Sequence, residues 1–159
     1  IPLRLVGSEM CIRDSFGSLD QVLDICEQID GLTPVINFSH LHSRTNGSLI
    51  DMDDFLNVLE MVEPMSNGQI HTAFAGVDYI DGNEKRLTPI KKGDLKFEPL
   101  AEALIEMKPN CTVISTSPLL EHDAVYMRVI HERVLSKKVA KDLKEKRKAE
   151  ASAAAATGE

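Results

Sequence analysis

Three short β-branched runs, each followed by an amphipathic stretch, limit what this chain can fold into. They lie at Thr33–Phe38, Gln69–Ala75 and Cys111–Ser115. Apolar runs of this length, bounded by turn residues, read as buried strands. Around them the apolar residues recur at helical spacing. Val22, Leu23, Cys26 and Ile29 share one side of a helix that Ser18 caps and Gly31 ends. Phe55, Val58, Leu59 and Val62 do the same after Asp51, until Pro64 and Asn67-Gly68 break the pattern. Phe97–Met107 is a third helix, with Glu98-Pro99 in its first turn. A fourth starts near Leu119 and contains Ala124, Met127, Val129 and Ile130. Residues 39–50 and 76–96 are expected as loops. The order is α, βα, βα, βα, which implies parallel strands joined by helical crossovers. The first helix then covers no strand of this chain, and three strands with their helices leave faces and edges of a parallel sheet unburied. The expected class is α/β, as the C-terminal part of a larger domain.

Composition narrows the function classes. The chain has 159 residues, 43% of them hydrophobic, enough for one ordinary domain. No apolar run is long enough to span a membrane, so no membrane partner is expected. A net charge of −7 argues against a broadly basic nucleic-acid surface and leaves room for a local cationic groove. Cys11, Cys26 and Cys111 have no CxxC spacing, which fits a reducing, cytoplasmic setting. Cys26 and Cys111 read as small core residues.

The two ends differ from the middle. Leu5–Asp14 reads as a translated sequencing-adapter sequence, and Glu9, Arg13 and Asp14 break any secretory apolar region. Residues 1–15 are therefore set apart as not native, with natural sequence expected upstream. The domain is expected over 16–135. In the tail, 136–159, Lys137, Lys138, Lys141, Lys144, Lys146, Arg147 and Lys148 alternate with Asp142, Glu145 and Glu150 before an Ala-rich end. This reads as a solvated helix extension fraying into disorder; the functional alternative is a basic arm on nucleic-acid phosphates.

Chemistry-bearing side chains follow each strand. After the first come Asn37, His40, His42 and Arg44; the second contains His71 and precedes Asp78, Asp81, Glu84 and Arg86. After the third come Ser115, Thr116, Ser117, Glu121, His122 and Asp123. Active sites of parallel α/β folds lie at the carboxyl ends of strands, where such groups converge. His40 and His42 share a face if the strand persists and can diverge if it has become loop. Histidine nitrogens and carboxylate oxygens suit zinc or manganese. A lone strand histidine such as His71 is ordinarily structural; with His40 at the end of the neighbouring strand, a shared metal site becomes an equal reading. His122 and His131 read as surface residues, Asp51, Asp53 and Asp54 as helix-start charges, and Asn46-Gly47 as a turn. There is no Gly-rich phosphate loop, nucleophile elbow or paired-cysteine motif.

The ordered motifs resemble a family. Pro34-Val-Ile-Asn-Phe-Ser-His-Leu-His-Ser-Arg-Thr-Asn-Gly47, Ile70-His71, Phe74-Ala-Gly-Val-Asp-Tyr79, Val113-Ile-Ser-Thr-Ser-Pro118 and Leu120-Glu-His-Asp-Ala124 look like the C-terminal half of endonuclease IV-type TIM (β/α)8 barrels, nearest the archaeal-type branch. The likeness spans about residues 16–135. It implies a xylose isomerase-like barrel with a three-zinc site that hydrolyses DNA 5′ to abasic sites, the nucleotide being swung out of the duplex. His40 and His71 match zinc histidines of the family, and Glu84 falls near an acidic ligand position. Asn37 stands where the family has an aspartate, Arg86 about where it has a histidine, and Thr116 where it has a glutamate. The resemblance therefore implies metal ligands His40, His71 and Glu84, substrate contacts at His42, Arg44 and Arg86, and fewer zinc ions than three, with manganese as a second candidate. Arg86 would clamp a phosphate in place of a metal. The expected function is a fragment of an abasic-site phosphodiesterase with DNA as partner. A sugar isomerase-like metalloenzyme and a non-catalytic homologue are the alternatives.

Overall fold

Residues 17–156 are described by the computed structural model, with side chains to residue 149. The sequencing-adapter reading of residues 5–14, and Cys11, lie outside the described residues. The elements run α1 (Leu19–Gln28), β1 (Val35–Asn37), α2 (Phe38–Arg44), α3 (Met52–Val62), a 3-10 turn (Glu63–Met65), β2 (Ile70–Phe74), β3 (Gly76–Ile80), β4 (Asn83–Thr88), α4 (Phe97–Met107), β5 (Cys111–Ser115) and α5 (Glu121–Ala156). Strands β1, β2 and β5 form a parallel sheet with β2 in the middle. The protein is thus an α/β chain with a parallel sheet.

The helix ends follow local chemistry. Ser18 caps α1, its hydroxyl accepting from the Gln21 N–H at 3.3 Å, while the Gln21 side chain accepts from the Ser18 N–H. Asp54 in the first turn of α3 accepts from the N–H groups of Ile50 and Asp51, both at 2.9 Å, and the Asp51 and Ile50 bonds hold its carboxyl below the usual range. Lys108 ends α4 in the left-handed conformation.

Among the described residues, helices cover one face of the sheet. Ile36, Ile70, Thr72 and Phe74 are buried beneath the helices. Ile36, Ile70 and Phe74 meet Phe55, Leu59 and Val62 of α3, Leu100 and Ala101 of α4, and Met127 and Ile130 of α5 in one apolar cluster. Phe74 stands at its centre, edge-on to Phe97 at 5.1 Å and tilted against Phe38 at 6.5 Å. The opposite face carries Val35 and Asn37, His71 and Ala73, and Thr112 and Ile114, paired across the strands in that order. None of these six is buried, and Val35 and Ile114 are 43% and 50% exposed.

Two sequence expectations need correction, and a third boundary is sharpened. Residues 39–50 are not all loop, because α2 starts directly after β1. Asn37 caps it, its side-chain oxygen accepting from the His40 N–H at 3.2 Å. Residues 76–96 are not one polar loop, since β3 and β4 form an antiparallel hairpin. Its two-residue turn is Asp81-Gly82, with φ of 51° and 75°, the positive-φ pair that such a hairpin requires. The last helix starts at Glu121 rather than near Leu119, and it continues unbroken for 36 residues. The charged tail is therefore a helix extension through Ala156. Among the described residues, no helix is long and apolar enough to cross a membrane.

Candidate functional site

Ser39 fixes where α2 sits. Its buried hydroxyl donates to the Ala75 carbonyl and accepts from the Ala75 N–H, both at 2.9 Å. These two bonds tie α2 to the chain leaving β2 and place His40 and His42 at the carboxyl end of the sheet. The hairpin lies against the same helix. A Cβ on Gly82 at the hairpin tip would come within 3.4 Å of the Arg44 carbonyl oxygen.

Two histidine–carboxylate contacts tie α2 down, His40 to the hairpin and His42 to the segment between β4 and α4. His40 Nδ1 lies 3.6 Å from Glu84 Oε2, and the two side chains are 29% and 21% exposed. Both remain reachable from solvent. His42 is turned inward, at 2% exposure. Its Nδ1 accepts from the Leu49 N–H at 3.2 Å, so the neutral ring carries its proton on Nε2. That nitrogen lies 3.4 Å from Asp94 Oδ1, an ion-pair distance outside hydrogen-bond geometry. The other Asp94 oxygen accepts from the Tyr79 hydroxyl at 2.7 Å, and the Tyr79 ring stands edge-on to His42 at 5.4 Å.

This arrangement sets the electrostatics. The hydrogen bond to Asp94 pushes Tyr79 up to about 12, with burial and the carboxylate charge adding to it. Burial raises the Asp94 carboxyl, but the Tyr79 hydroxyl, the His42 imidazole and the Leu95 N–H together hold it below its usual range. A raised folded-state value means a contribution present below the unfolded value near 10 and lost as pH rises through about 12. In a Tyr126→Phe background, absorbance at 295 nm is expected to show Tyr79 ionising near pH 12. Asp94→Asn is expected to bring that transition back toward 10. A transition that stays in place in Asp94→Asn would exclude the carboxylate as its cause.

The other expected residues lie apart from this pair. His71 projects from the middle strand onto the bare sheet face, level with Val35 and Thr112. Among the described residues, no three His, Cys, Asp or Glu side chains stand close enough to hold one metal ion, so His71 is not gathered with His40 and Glu84. Arg86 donates from Nε to Asp78 Oδ2 at 2.8 Å. Asn37 is committed to capping α2. The Thr116 hydroxyl is buried without a hydrogen-bond partner among the described residues, while its N–H donates to the Phe74 carbonyl. Arg44 closes α2 at its C-terminal end. In the third loop, Asp123 serves the fold. Buried, it accepts from the Ile90 N–H at 2.9 Å and the Ser117 hydroxyl at 2.5 Å. Sequence reasoning missed Tyr79 and Asp94. The Asp81-Gly82 turn signal could have pointed to the hairpin that presents Tyr79; nothing in the sequence marked Asp94.

Comparison with known proteins adds one relative. The chain is 32% identical over 116 residues to an uncharacterized protein of Methanocaldococcus jannaschii. The match takes in 70% of this chain and 42% of the relative, so the chain spans less than half the length of the protein it matches. No family model matches the chain. No solved structure matches it.

Proposed function

We propose that the chain is the C-terminal part of an endonuclease IV-like (β/α)8 barrel, a metal-dependent phosphodiesterase acting at abasic sites in DNA, with a reduced metal site. The observation that carries this reading is the His40–Glu84 pair, set at the carboxyl end of a parallel sheet that has helices on one face only among the described residues. Doubly wound sheets carry helices on both faces. A parallel sheet with one bare face is completed when further strands close it into a barrel. Val35, His71 and Ile114 would then point into the barrel, and β1 and β5 would pair with the strands that close it. The relative supports this scale. If 116 residues are 42% of it, its length is about 276, near the ~250 of such barrels.

The donor set fits part of a metal site. Ligand atoms on a tetrahedral zinc ion, bonded at about 2.0–2.1 Å, lie about 3.3 Å apart. His40 and Glu84, at 3.6 Å, suit two positions on one ion, with His71 as a candidate for a second site nearer the barrel axis. Zinc is favoured by the imidazole, with manganese next. Asn37 and Arg86 are committed elsewhere and Thr116 offers no carboxylate, which is why fewer than three ions are proposed. A bound metal would supply an activated water and charge neutralisation at a phosphate. The chain's own residues then bind and orient. Arg44, at the end of α2, would reach a phosphodiester, and Arg86 would do so only by giving up its bond to Asp78.

On this reading, metal content and cleavage are properties of the complete barrel. In the full-length protein, His40→Ala and Glu84→Gln are each expected to lower bound zinc and to slow cleavage of an abasic duplex by roughly 100-fold. Metal analysis by mass spectrometry and a gel cleavage assay check this. Unchanged metal and unchanged cleavage in both variants would remove the site assignment. The 159-residue chain alone is expected not to cleave, and robust cleavage by it would overturn that.

A further inference from the structure

We propose that His42, Tyr79 and Asp94 form a positioning brace that locks the β3–β4 hairpin onto α2 and so fixes the spacing of His40 and Glu84. The role rests on the reading of that pair as a binding site. The geometry is a closed frame. One side is α2, held to the sheet through Ser39 and carrying His40 and His42 two residues apart. The other is the hairpin, in which Tyr79 and Glu84 are direct cross-strand partners. Whatever places Tyr79 therefore places Glu84.

Tyr79 is placed from two directions. Its hydroxyl donates to Asp94, and its ring meets the edge of His42. Asp94 in turn faces the proton-bearing nitrogen of His42. The hydroxyl fits because residue 47 is a glycine with φ of 87°; a Cβ there would run into Tyr79 Oη and approach His42 Nε2. Three segments distant in sequence are thus joined at one buried imidazole. His42 is too deeply buried to meet a ligand, and its Nδ1 is already occupied by the Leu49 N–H. The exposed partner of the frame is His40, which leaves that residue to bind and His42 to orient. Groups that hold ligands in place from behind govern affinity in just this way.

The first step of the test uses the 159-residue chain and needs no metal. The His40 Cε1–H resonance, read by proton–carbon NMR, reports contact with Glu84. Glu84→Gln is expected to displace it in the native background. In a Tyr79→Phe background, which keeps the ring but removes the hydroxyl, that displacement is expected to shrink by more than half. Asp94→Asn, at a half-exposed position, repeats the measurement should Tyr79→Phe fail to fold. An undiminished displacement in the variants, or none in the native chain, overturns the brace. The second step titrates Co²⁺ into the full-length protein and follows its visible absorption. Tyr79→Phe is expected to weaken binding about tenfold, in the range for lost support behind a ligand. Unchanged Co²⁺ affinity counts against the brace. Loss of NMR coupling, beside a full-length protein that never binds Co²⁺, supports the brace and removes the metal reading alone.

Discussion

Phe74→Ala is expected to cost about 3–5 kcal/mol of folding stability, the range for emptying a fully buried aromatic site. Phe74 has no exposure, lies at the end of the central strand, and touches Phe38 from α2 and Phe97 from α4. It is therefore the residue through which the sheet, the site helix and the helical layer meet. The surrounding rings are held by separate elements, so the cavity has little scope to collapse. Thermal unfolding followed by circular dichroism checks this, with an expected fall in Tm of roughly 10–20 °C for a chain of this size. A fall of under about 3 °C would mean that the core closes over the loss, and that Phe74 is not its centre.

Gly76→Ala is expected to disturb the site more than its one methyl suggests. A Cβ at this position would lie 2.6 Å from the Pro89 carbonyl oxygen, 2.7 Å from the Thr88 hydroxyl and 2.9 Å from the Thr88 carbonyl oxygen. Two of those three atoms are backbone and cannot rotate aside. The base of the hairpin must then open, since Gly76 and Thr88 are its last cross-strand pair. Overpacking of this kind costs about 1–3 kcal/mol. The distinguishing result is in the hairpin: amide hydrogen exchange over β3 and β4 is expected to accelerate, while exchange in β2 changes little. Equal acceleration in both would show global destabilisation instead.

The repeating part of the fold was legible in the sequence. Phe97–Met107 was read with the same ends that the structure gives, and the three parallel strands were found within a residue or two. Buried strands and amphipathic helices announce themselves through apolar periodicity, which Phe55, Val58, Leu59 and Val62 display plainly. The hairpin did not, because its exposed strand Asn83–Thr88 is mostly polar and only Thr88 is buried. Its sole local sign was Asp81-Gly82, a turn pair read as part of a loop. Helix α2 was missed for a related reason: seven residues are too few to show a period, and its cap is a strand residue.

The site was legible by residue type but not by pairing. His40 and Glu84 were both singled out, and the structure sets them 3.6 Å apart. His42 was expected as a substrate contact, and the helix turned it inward. A two-residue separation places side chains on one face of a strand but about 200° apart on a helix. Asp94 belongs to a segment without periodicity, and its partners lie 15 and 52 residues earlier in the chain; no local rule reaches that far.

The junction between β1 and α2 has no connecting residues. Asn37 ends the strand and caps the helix, and Phe38 opens the helix already sealed in the core. The backbone of His40 therefore has no linker between it and the sheet. Glu84 sits on a two-stranded ribbon that leaves the sheet at Gly76 and rests on α2 at its turn. Moving the backbones of these two groups apart therefore means lifting the ribbon off α2, with the Tyr79 ring leaving the edge of His42.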